Sequence, residues 1–307
     1  MIYGDLGLSS FNLRKKIIRL LLKNIPEGDL EEYIFYNKYK ISCIFVFFKR
    51  INLMKQALLC LENQRFEKDN FEVILVEDRK GSPEGRSLIH EFPKLNISYY
   101  SPVKGWGRMG YMRNYGLSKA QGEIILFLDD DTVIWDKLFL KKLYNLFKKD
   151  PDLMAVIPRG NPLFCLIKKH YFYHDPFFFT NRCMAYRRSC LIEMKGFDNN
   201  FIGQEDVEFA IRFIAKDYKF IKTNEIQYYH PPFIVESFNK AIAVGYSFSK
   251  SKYKRWIRLI LGINGARWLP RIIGPTQKNI YMAKFSWGFM LGFIKGLLGI
   301  KPPLYVS

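Results

Sequence analysis

The chain has 307 residues, enough for one large domain or two smaller ones, and its 49% hydrophobic content excludes a globally disordered protein. Lysine and arginine outnumber aspartate and glutamate 48 to 29, and the net charge of +19 favours a polyanionic partner: anionic lipid, nucleic acid or a phosphorylated substrate. The 5 cysteines are scattered without CxxC spacing, which argues against structural zinc and fits reduced thiols in a cytosolic compartment.

The first 37 residues are predicted to form an N-terminal extension with one amphipathic helix. Residues 11–22 (FNLRKKIIRLLL) place Ile17, Ile18, Leu21 and Leu22 at helical spacing between basic residues. A helix on a membrane surface and a helix packed on the main domain both fit this pattern. The segment lacks the apolar core of a signal peptide, so a cytoplasmic location is expected.

From residue 38 the sequence alternates strand and helix patterns. Predicted strands cover residues 40–48, 71–76, 96–100 and 124–128, and predicted helices cover 53–61, 84–92 and 109–120. This alternation favours a parallel, doubly wound α/β sheet. Acids follow two of the strands, Asp78 after the second and Asp129 to Asp131 after the fourth. In parallel strands these ends lie along the same edge.

The segment from Gly122 to Trp135 (GEIILFLDDDTVIW) carries the strongest chemical signal. Its apolar run is typical of a strand buried on both faces, and three carboxylates follow directly. Like charges crowded at a strand end are costly unless a cation neutralises them. Carboxylate oxygens suit Mg²⁺ or Mn²⁺, which commonly bridge to a diphosphate. The segment therefore predicts a metal and nucleotide site.

The remaining elements are predicted in the second half of the chain. They are an amphipathic helix over residues 138–147, short strands over 155–158, 181–186 and 226–229, a helix that follows the loop 203–206, and helices over 238–248, 256–261 and 282–300. The last helix contains Lys284, Lys295 and several glycines, and its uncharged stretch is too short to span a bilayer. Residues 236–307 are therefore expected to form basic, amphipathic helices that associate with a membrane surface.

Four blocks of this sequence, taken together and in order, resemble glycosyltransferase family 2, the inverting class with a GT-A fold. The blocks are ISCIFVFFKR with NQRFEKDNFEVILVED, then RNYGLSKAQGEIILFLDDDT, AYRRSCLIEMKGFDNNF and GQEDVEFAIR. The resemblance covers about residues 40–235. It implies an α/β nucleotide-diphospho-sugar transferase domain, a Rossmann-like sandwich, over residues 38–235, with helical N- and C-terminal extensions.

The resemblance also implies roles for individual residues. The nucleotide-binding positions that it implies are Glu77, Asp78, Arg113, Asn114, Asp129 and Asp130. The implied metal ligands are the outer members of the DxD motif, Asp129 and Asp131, together with His230, and the implied metal is Mn²⁺ or Mg²⁺. His230 has an alternative interpretation, because a histidine before Pro231 and Pro232 could simply close a strand.

The implied catalytic base is Asp206, with Glu205 beside it in the ED motif. An aspartate that precedes a helix is also a good N-cap, so a capping role for Asp206 is the alternative. The literal GxGxxG of Gly105, Gly107 and Gly110 lies outside the first strand–helix unit and is interpreted as a mobile loop over the donor site.

Two departures from the family pattern bear on specificity. The first strand ends in Phe47 to Arg50 (FFKR) where the family usually has a Thr-Tyr-Asn type of ending, so the nucleotide base could be held differently. Residues 264–268 (NGARW) are only faintly similar to the QxxRW motif of processive members, and a non-processive enzyme is expected.

The expected activity is metal-dependent transfer of a sugar from a nucleotide sugar to a hydroxyl of a lipid-linked or cell-surface glycan precursor, at the cytoplasmic face of a membrane. One alternative is a metal-dependent nucleotidyltransferase, which would release pyrophosphate and would not need the ED loop. Another is a non-catalytic basic protein that binds nucleic acid or membrane. No nucleic-acid partner is expected, because the basic residues are spread along the chain and the acids lie at the predicted pocket.

Overall fold

A computed structural model describes residues 16–302, apart from 163, 168–169, 174–175, 178, 232–237 and 275. The strands are β1 (Tyr39–Phe47), β2 (Phe71–Glu77), β3 (Ile97–Tyr100), β4 (Gly122–Asp129), β5 (Leu153–Asn161), β6 (Phe164–Ile167), β7 (His170–Tyr173), β8 (Cys183–Arg187) and β9 (Lys219–Tyr229). The helices are α1 (Ile51–Glu62), α2 (Pro83–Glu91), α3 (Met109–Lys119), α4 (Phe139–Lys149), α5 (Arg188–Glu193), α6 (Glu205–Ala215), α7 (Phe238–Lys250), α8 (Arg255–Ala266) and α9 (Gln277–Leu297).

Seven of these strands form one sheet in the order β3-β2-β1-β4-β8-β5-β9. The first four strands pair in parallel, which confirms the prediction for this half of the sheet. The strand β8, for which the sequence predicts no direction, runs antiparallel to both β4 and β5. The chain reaches β8 from β5 through the hairpin β6–β7, and an antiparallel neighbour needs no helical crossover.

Helices cover both faces of the sheet, and this explains why its central strands are apolar over most of their length. In β4, Ile124, Leu126 and Leu128 pack with α1, α2 and α4, whereas Ile125 and Phe127 point to the opposite side and pack with α3, α5 and α6. Each strand residue is therefore buried whichever face it points to. The absence of polar alternation in β1, β2 and β4 follows directly from this double covering.

The C-terminal helices pack on the sheet domain as a separate layer. Phe201, in the loop before α6, lies in one apolar cluster with Val244 and Phe248 of α7 and with Phe289 and Phe293 of α9. Glycines allow the close approach of α7 and α9: a Cβ atom at position 292 would lie 1.9 Å from the carbonyl oxygen of residue 242. Within the described residues, no helix combines the length and the hydropathy needed to cross a membrane.

Candidate active site

The three consecutive aspartates lie where β4 ends, at the carboxyl edge of the parallel strands. Asp129 is the last residue of β4, and Asp130 and Asp131 form the turn that follows. Arg50, directly after β1, donates from Nη1 to Oδ1 of Asp130 and from Nη2 to Oδ2 of Asp131, both at 2.7 Å. Because β1 and β4 are neighbours in the sheet, their ends bring this cation and these anions together.

His230 joins this cluster from the end of β9. Val133 and Tyr229 exchange backbone hydrogen bonds of 2.9 and 2.8 Å, which hold the end of β9 against the segment after Asp131. As a result, Nε2 of His230 lies 3.1 Å from Oδ1 of Asp131. One ligand atom from each of Asp129, Asp131 and His230 lies within 4.8 Å of the others. The predicted metal ligands are therefore together in space, and a ligand role for His230 stays a prediction.

The donor set and its burial suit a divalent cation. Oδ1 of Asp131 is buried and accepts no hydrogen bond of ordinary geometry from the part of the chain that the structure describes, although Nε2 of His230 lies 3.1 Å away. Burial raises the pKa of Asp130 to about 7, Arg50 opposes this rise, and the charges of Asp129 and Asp131 add to it. Burial would also raise the pKa of Asp131, but His230 and Arg50 hold it well below its usual range. Two carboxylates and an imidazole around excess negative charge would accept Mn²⁺ or Mg²⁺.

Arg113 connects the aspartate cluster to the ED motif. From α3 its Nε donates to Oε1 of Glu205 at 2.6 Å and its Nη2 donates to Oδ1 of Asp129 at 3.2 Å. Arg113 and Glu205 are both buried, and the guanidinium carbon lies 5.5 Å from the ring centre of Phe127. Burial raises the pKa of Glu205 to about 7, with Arg113 opposing the shift. The guanidinium of Arg113 is fixed between Asp129 and Glu205, and it therefore sets the distance between the aspartate cluster and the ED motif.

Asp206 is held by three hydrogen bonds and does not occupy the N-cap position of α6. Gln204 occupies the N-cap position of α6 in a left-handed conformation (φ 59°), and Asp206 is the second residue of the helix. Oδ2 of Asp206 accepts from the hydroxyl of Thr180 at 2.6 Å and from the backbone N–H of Asn181 at 3.1 Å. Oδ1 accepts from the N–H of Val207 at 2.8 Å. The side chain is thus fixed in one orientation beside the buried Arg113–Glu205 pair.

Asp78 directly follows β2, which lies beside β1 in the sheet, and it is covered by the loop that contains Gly105 and Gly107. The backbone N–H of Gly107 donates to both of its carboxylate oxygens, at 3.0 and 3.1 Å. Gly107 has φ +68°, a conformation that glycine adopts without strain. The guanidinium of Arg79 stacks 4.8 Å from the ring centre of Phe48, at the end of the unusual FFKR segment. The loop and the FFKR segment therefore surround the predicted base-binding acid.

Two predicted nucleotide-binding residues form internal hydrogen bonds. The buried carboxylate of Glu77 accepts from the backbone N–H of Ser82 at 2.9 Å and from the hydroxyl of Tyr99 at 2.7 Å. The buried amide of Asn114 donates to the carbonyl of Phe197 at 2.7 Å and accepts from the N–H of the same residue at 2.8 Å. Both side chains hold loops near the site, and their direct contact with a nucleotide stays a prediction.

Sequence reasoning did not single out several residues that complete the site. In the sequence, Arg50 stands out only as part of the FFKR segment that departs from the family pattern. Its pairing with Asp130 and Asp131 depends on the order of the strands in the sheet. Thr180 and Asn181 carry no sequence signal, since they contact Asp206 across a gap of 26 and 25 residues. The amide of Asn181 is fully buried, and neither of its side-chain polar atoms has a hydrogen-bond partner among the described residues.

Comparison with known proteins places these residues in context. Residues 42–192, about half of the chain, match the profile of Glycosyl transferase family 2. An O-antigen chain rhamnosyltransferase of Salmonella typhimurium is 25% identical over 298 residues, with 82% of this chain and 89% of that protein covered. A GalNAc(5)-diNAcBac-PP-undecaprenol beta-1,3-glucosyltransferase of Campylobacter jejuni is 32% identical over 138 residues, with 42% and 39% covered.

The overall fold has solved counterparts. A mannosyltransferase of Pyrobaculum calidifontis, solved in complex with GDP-Man and Mn²⁺, superposes with a TM-score of 0.56 over 96% of each chain at 15% sequence identity. At that identity the likeness shows the fold, which is GT-A. The chain spans between 20% and 61% of the length of the first three curated relatives that it matches.

Proposed function

The chain belongs to glycosyltransferase family 2, and on that premise we propose that it transfers a sugar from a nucleoside-diphosphate sugar to a hydroxyl acceptor, with a divalent metal and inversion at the anomeric carbon. One observation carries the proposal. Arg113 pairs at once with Asp129 of the aspartate cluster and with Glu205 of the ED motif. This contact supports a cation and diphosphate site beside a candidate base, because it links the two motifs that would provide them.

Different side chains would act on the leaving group and on the nucleophile. A divalent cation bound by Asp129, Asp131 and His230 would act as a Lewis acid toward the diphosphate leaving group. Asp206 would take the proton of the acceptor hydroxyl as that oxygen attacks the anomeric carbon. Thr180 and the N–H of Asn181 orient the carboxylate of Asp206 for this step. The acceptor oxygen would form its bond to the anomeric carbon on the face opposite the diphosphate, whose bond to that carbon breaks, and this single displacement inverts the configuration.

The names of two relatives and the net charge of +19 support a class of acceptor. The two relatives are named for an O-antigen chain and for an undecaprenol-linked saccharide. We propose a lipid-linked or cell-surface polysaccharide precursor as acceptor, with the enzyme peripheral to the cytoplasmic face of a membrane. The nucleotide sugar is the donor, and the transfer is non-processive.

The rival activities have weaker support. A nucleotidyltransferase of similar architecture would not require Glu205 and Asp206 near the aspartates, whereas Arg113 ties these two motifs together. A nucleic-acid binder would present exposed basic and aromatic residues at its site, whereas Asp130 and Asp131 are buried there and paired with Arg50.

The test is an assay with a panel of UDP-, GDP- and dTDP-sugars, Mn²⁺ and lipid-linked saccharide acceptors. We expect release of a nucleoside diphosphate from one donor, loss of release in EDTA, and a product whose anomeric configuration by NMR is opposite to that of the donor. Pyrophosphate release from a nucleoside triphosphate would support the nucleotidyltransferase instead. If the protein neither binds nor turns over any donor, the enzyme assignment is rejected.

A further inference from the structure

The C-terminal helical segment, residues 238–302, has an extreme charge composition. No aspartate or glutamate follows Glu236 in the sequence. The basic residues of the segment are Lys240, Lys250, Lys252, Lys254, Arg255, Arg258, Arg267, Arg271, Lys278, Lys284, Lys295 and Lys301. A long helical segment with one sign of charge attracts a polyanion, and the attraction is strongest where the charges are exposed.

Helix α8 presents an apolar stripe to solvent. Trp256, Leu259, Ile260 and Ile263 are all exposed, Ile263 at 71%, and their spacing of three, four and seven residues places them on one face. The opposite face of α8 is buried: a Cβ at position 262 or 265 would meet the rings of α9 within 3 Å. Among the described residues, the stripe is therefore the uncovered face of a helix whose other side is tightly packed.

A second stripe lies on α9 and the turn that follows it. Trp287, Leu291, Ile294 and Leu298 are exposed, Trp287 at 62%, and again follow helical spacing. Between the two helices, the 3-10 turn Leu269–Ile273 ends in two exposed isoleucines, the second at 88% exposure. The α8 stripe and the α9 stripe thus belong to adjacent helices in one basic segment.

We propose that the α8 and α9 stripes insert into the interface of an anionic bilayer, with the surrounding lysines and arginines at the headgroups. Apolar stripes in a segment whose charged residues are all basic complement lipid tails and anionic headgroups at the same time, whereas a second copy of this segment would bring like charges together. A tryptophan in each stripe suits the boundary between headgroup and acyl chain. The inference deepens the proposed function by naming the surface that brings the enzyme to its acceptor.

Vesicle co-sedimentation of the full chain tests this inference without any sugar donor, so that it can fail independently of the activity. We expect binding to vesicles of phosphatidylcholine with about one third phosphatidylglycerol, and much weaker binding to phosphatidylcholine alone. Trp256→Ser with Ile263→Ser on α8, or Trp287→Ser with Ile294→Ser on α9, should weaken binding by at least about tenfold. Lys254→Glu with Arg255→Glu and Lys284→Glu should weaken it similarly, and added salt should have the same effect.

Two matched controls separate the stripes from general surface properties. Leu59→Ser removes an apolar side chain of α1 that is 52% exposed, and Lys141→Glu with Lys148→Glu reverses exposed charges on α4. Both controls should bind vesicles like the unmodified chain, and circular dichroism should show every variant folded. The proposal is overturned if the stripe variants bind normally. It is equally overturned if the unmodified chain does not bind anionic vesicles and the stripe variants lose either a dimer, measured by sedimentation velocity, or the binding of duplex DNA.

Discussion

At the scale of single residues, Asp206 has the most sharply defined environment of the candidate catalytic groups. Thr180 and Asn181 hold its Oδ2, and its position inside the first turn of α6 removes the capping interpretation. Asparagine at this position keeps an oxygen that can accept both hydrogen bonds but cannot take up a proton. We therefore expect Asp206→Asn to lower kcat by about 10²- to 10⁴-fold, as for loss of a general base.

Donor binding should survive this substitution, because the nucleotide site is built from other side chains. Isothermal titration with the nucleoside diphosphate and Mn²⁺ measures binding, and diphosphate release measures kcat. Asp152→Asn, an exposed change before β5, is the control and should behave like the unmodified chain. A normal kcat in Asp206→Asn would remove this residue as the base.

Arg50 gives a second prediction at this scale. Its guanidinium lies 2.7 Å from oxygens of both Asp130 and Asp131, so it competes electrostatically with any divalent cation at the same carboxylates. We expect Arg50→Ala to tighten Mn²⁺ binding on the order of tenfold, because removal of a nearby positive charge favours a dication in a partly buried site. Electron paramagnetic resonance of free Mn²⁺, titrated with protein alone, measures the affinity. Lys49→Ala is the neighbouring control, and unchanged or weaker binding in Arg50→Ala would contradict the prediction.

At the scale of elements, α3 must approach the turn after α5 closely enough for Arg113 to reach both acids. Gly110 makes this approach possible, since a Cβ there would lie 2.0 Å from the carbonyl oxygen of Asp198. Alanine is the better helix former by about 1 kcal/mol, yet overpacking of this kind typically costs about 1–3 kcal/mol. We expect Gly110→Ala to lower the free energy of unfolding, as measured by urea denaturation.

Gly203→Ala is the matched control for Gly110→Ala. A Cβ at Gly203 would meet no atom of the described residues within 4 Å, so the stability of the Gly203→Ala variant should be nearly unchanged. If Gly110→Ala were as stable as the unmodified chain, α3 would have to shift at little cost, and the tight spacing between α3 and the turn would not be required.

The elements that the sequence predicted well are those that owe their structure to burial on both faces. The first four strands and their helices follow from uninterrupted apolar runs and amphipathic helices, and the chain places them as expected. The direction of β8 was not predicted, because the short segment 181–186 has no feature that distinguishes a parallel from an antiparallel neighbour. The β6–β7 hairpin was missed for a related reason: its aromatic residues show no clear period.

The site was predictable where a motif carries its own chemistry and unpredictable where tertiary contacts decide. The three aspartates predicted a cation site from charge and burial alone, and His230 lies beside Asp131 as that site would require. The partners Arg50, Thr180 and Asn181 come from other strand ends and loops. Their contacts depend on strand order and on the hairpin between β5 and β8, which local patterns do not encode.

At the scale of the whole molecule, the C-terminal helices touch the catalytic half through the loop that carries the ED motif. Phe201 packs on Phe248, with ring centres 5.1 Å apart, and Phe248 packs on Phe289 at 5.9 Å. The N–H of Ile202 donates to the hydroxyl of Ser247 at 3.1 Å, so backbone and side chain both fasten this loop to α7. The helices that carry the proposed membrane stripes therefore also support the position of Asp206.

This arrangement predicts that a change inside α9 acts on catalysis over a distance. Phe289→Ala removes a buried ring from the cluster under Phe201, and such truncations cost about 3–5 kcal/mol of stability. Because the loosened loop carries the base and not the metal site, we expect kcat to fall on the order of tenfold while the KM for the donor changes little. Hydrogen exchange over residues 199–206 should quicken in the same variant.

Leu297→Ala separates this effect from a general weakening of α9, because Leu297 lies in the last turn of the same helix and is 48% exposed. Its kcat and its exchange over residues 199–206 should match those of the unmodified chain when both are assayed with a water-soluble acceptor in the absence of membranes. If Phe289→Ala instead raised the donor KM with kcat unchanged, the C-terminal layer would support the nucleotide site and not the loop of the base. If both variants behaved normally, the layer would serve only as a carrier for the two stripes.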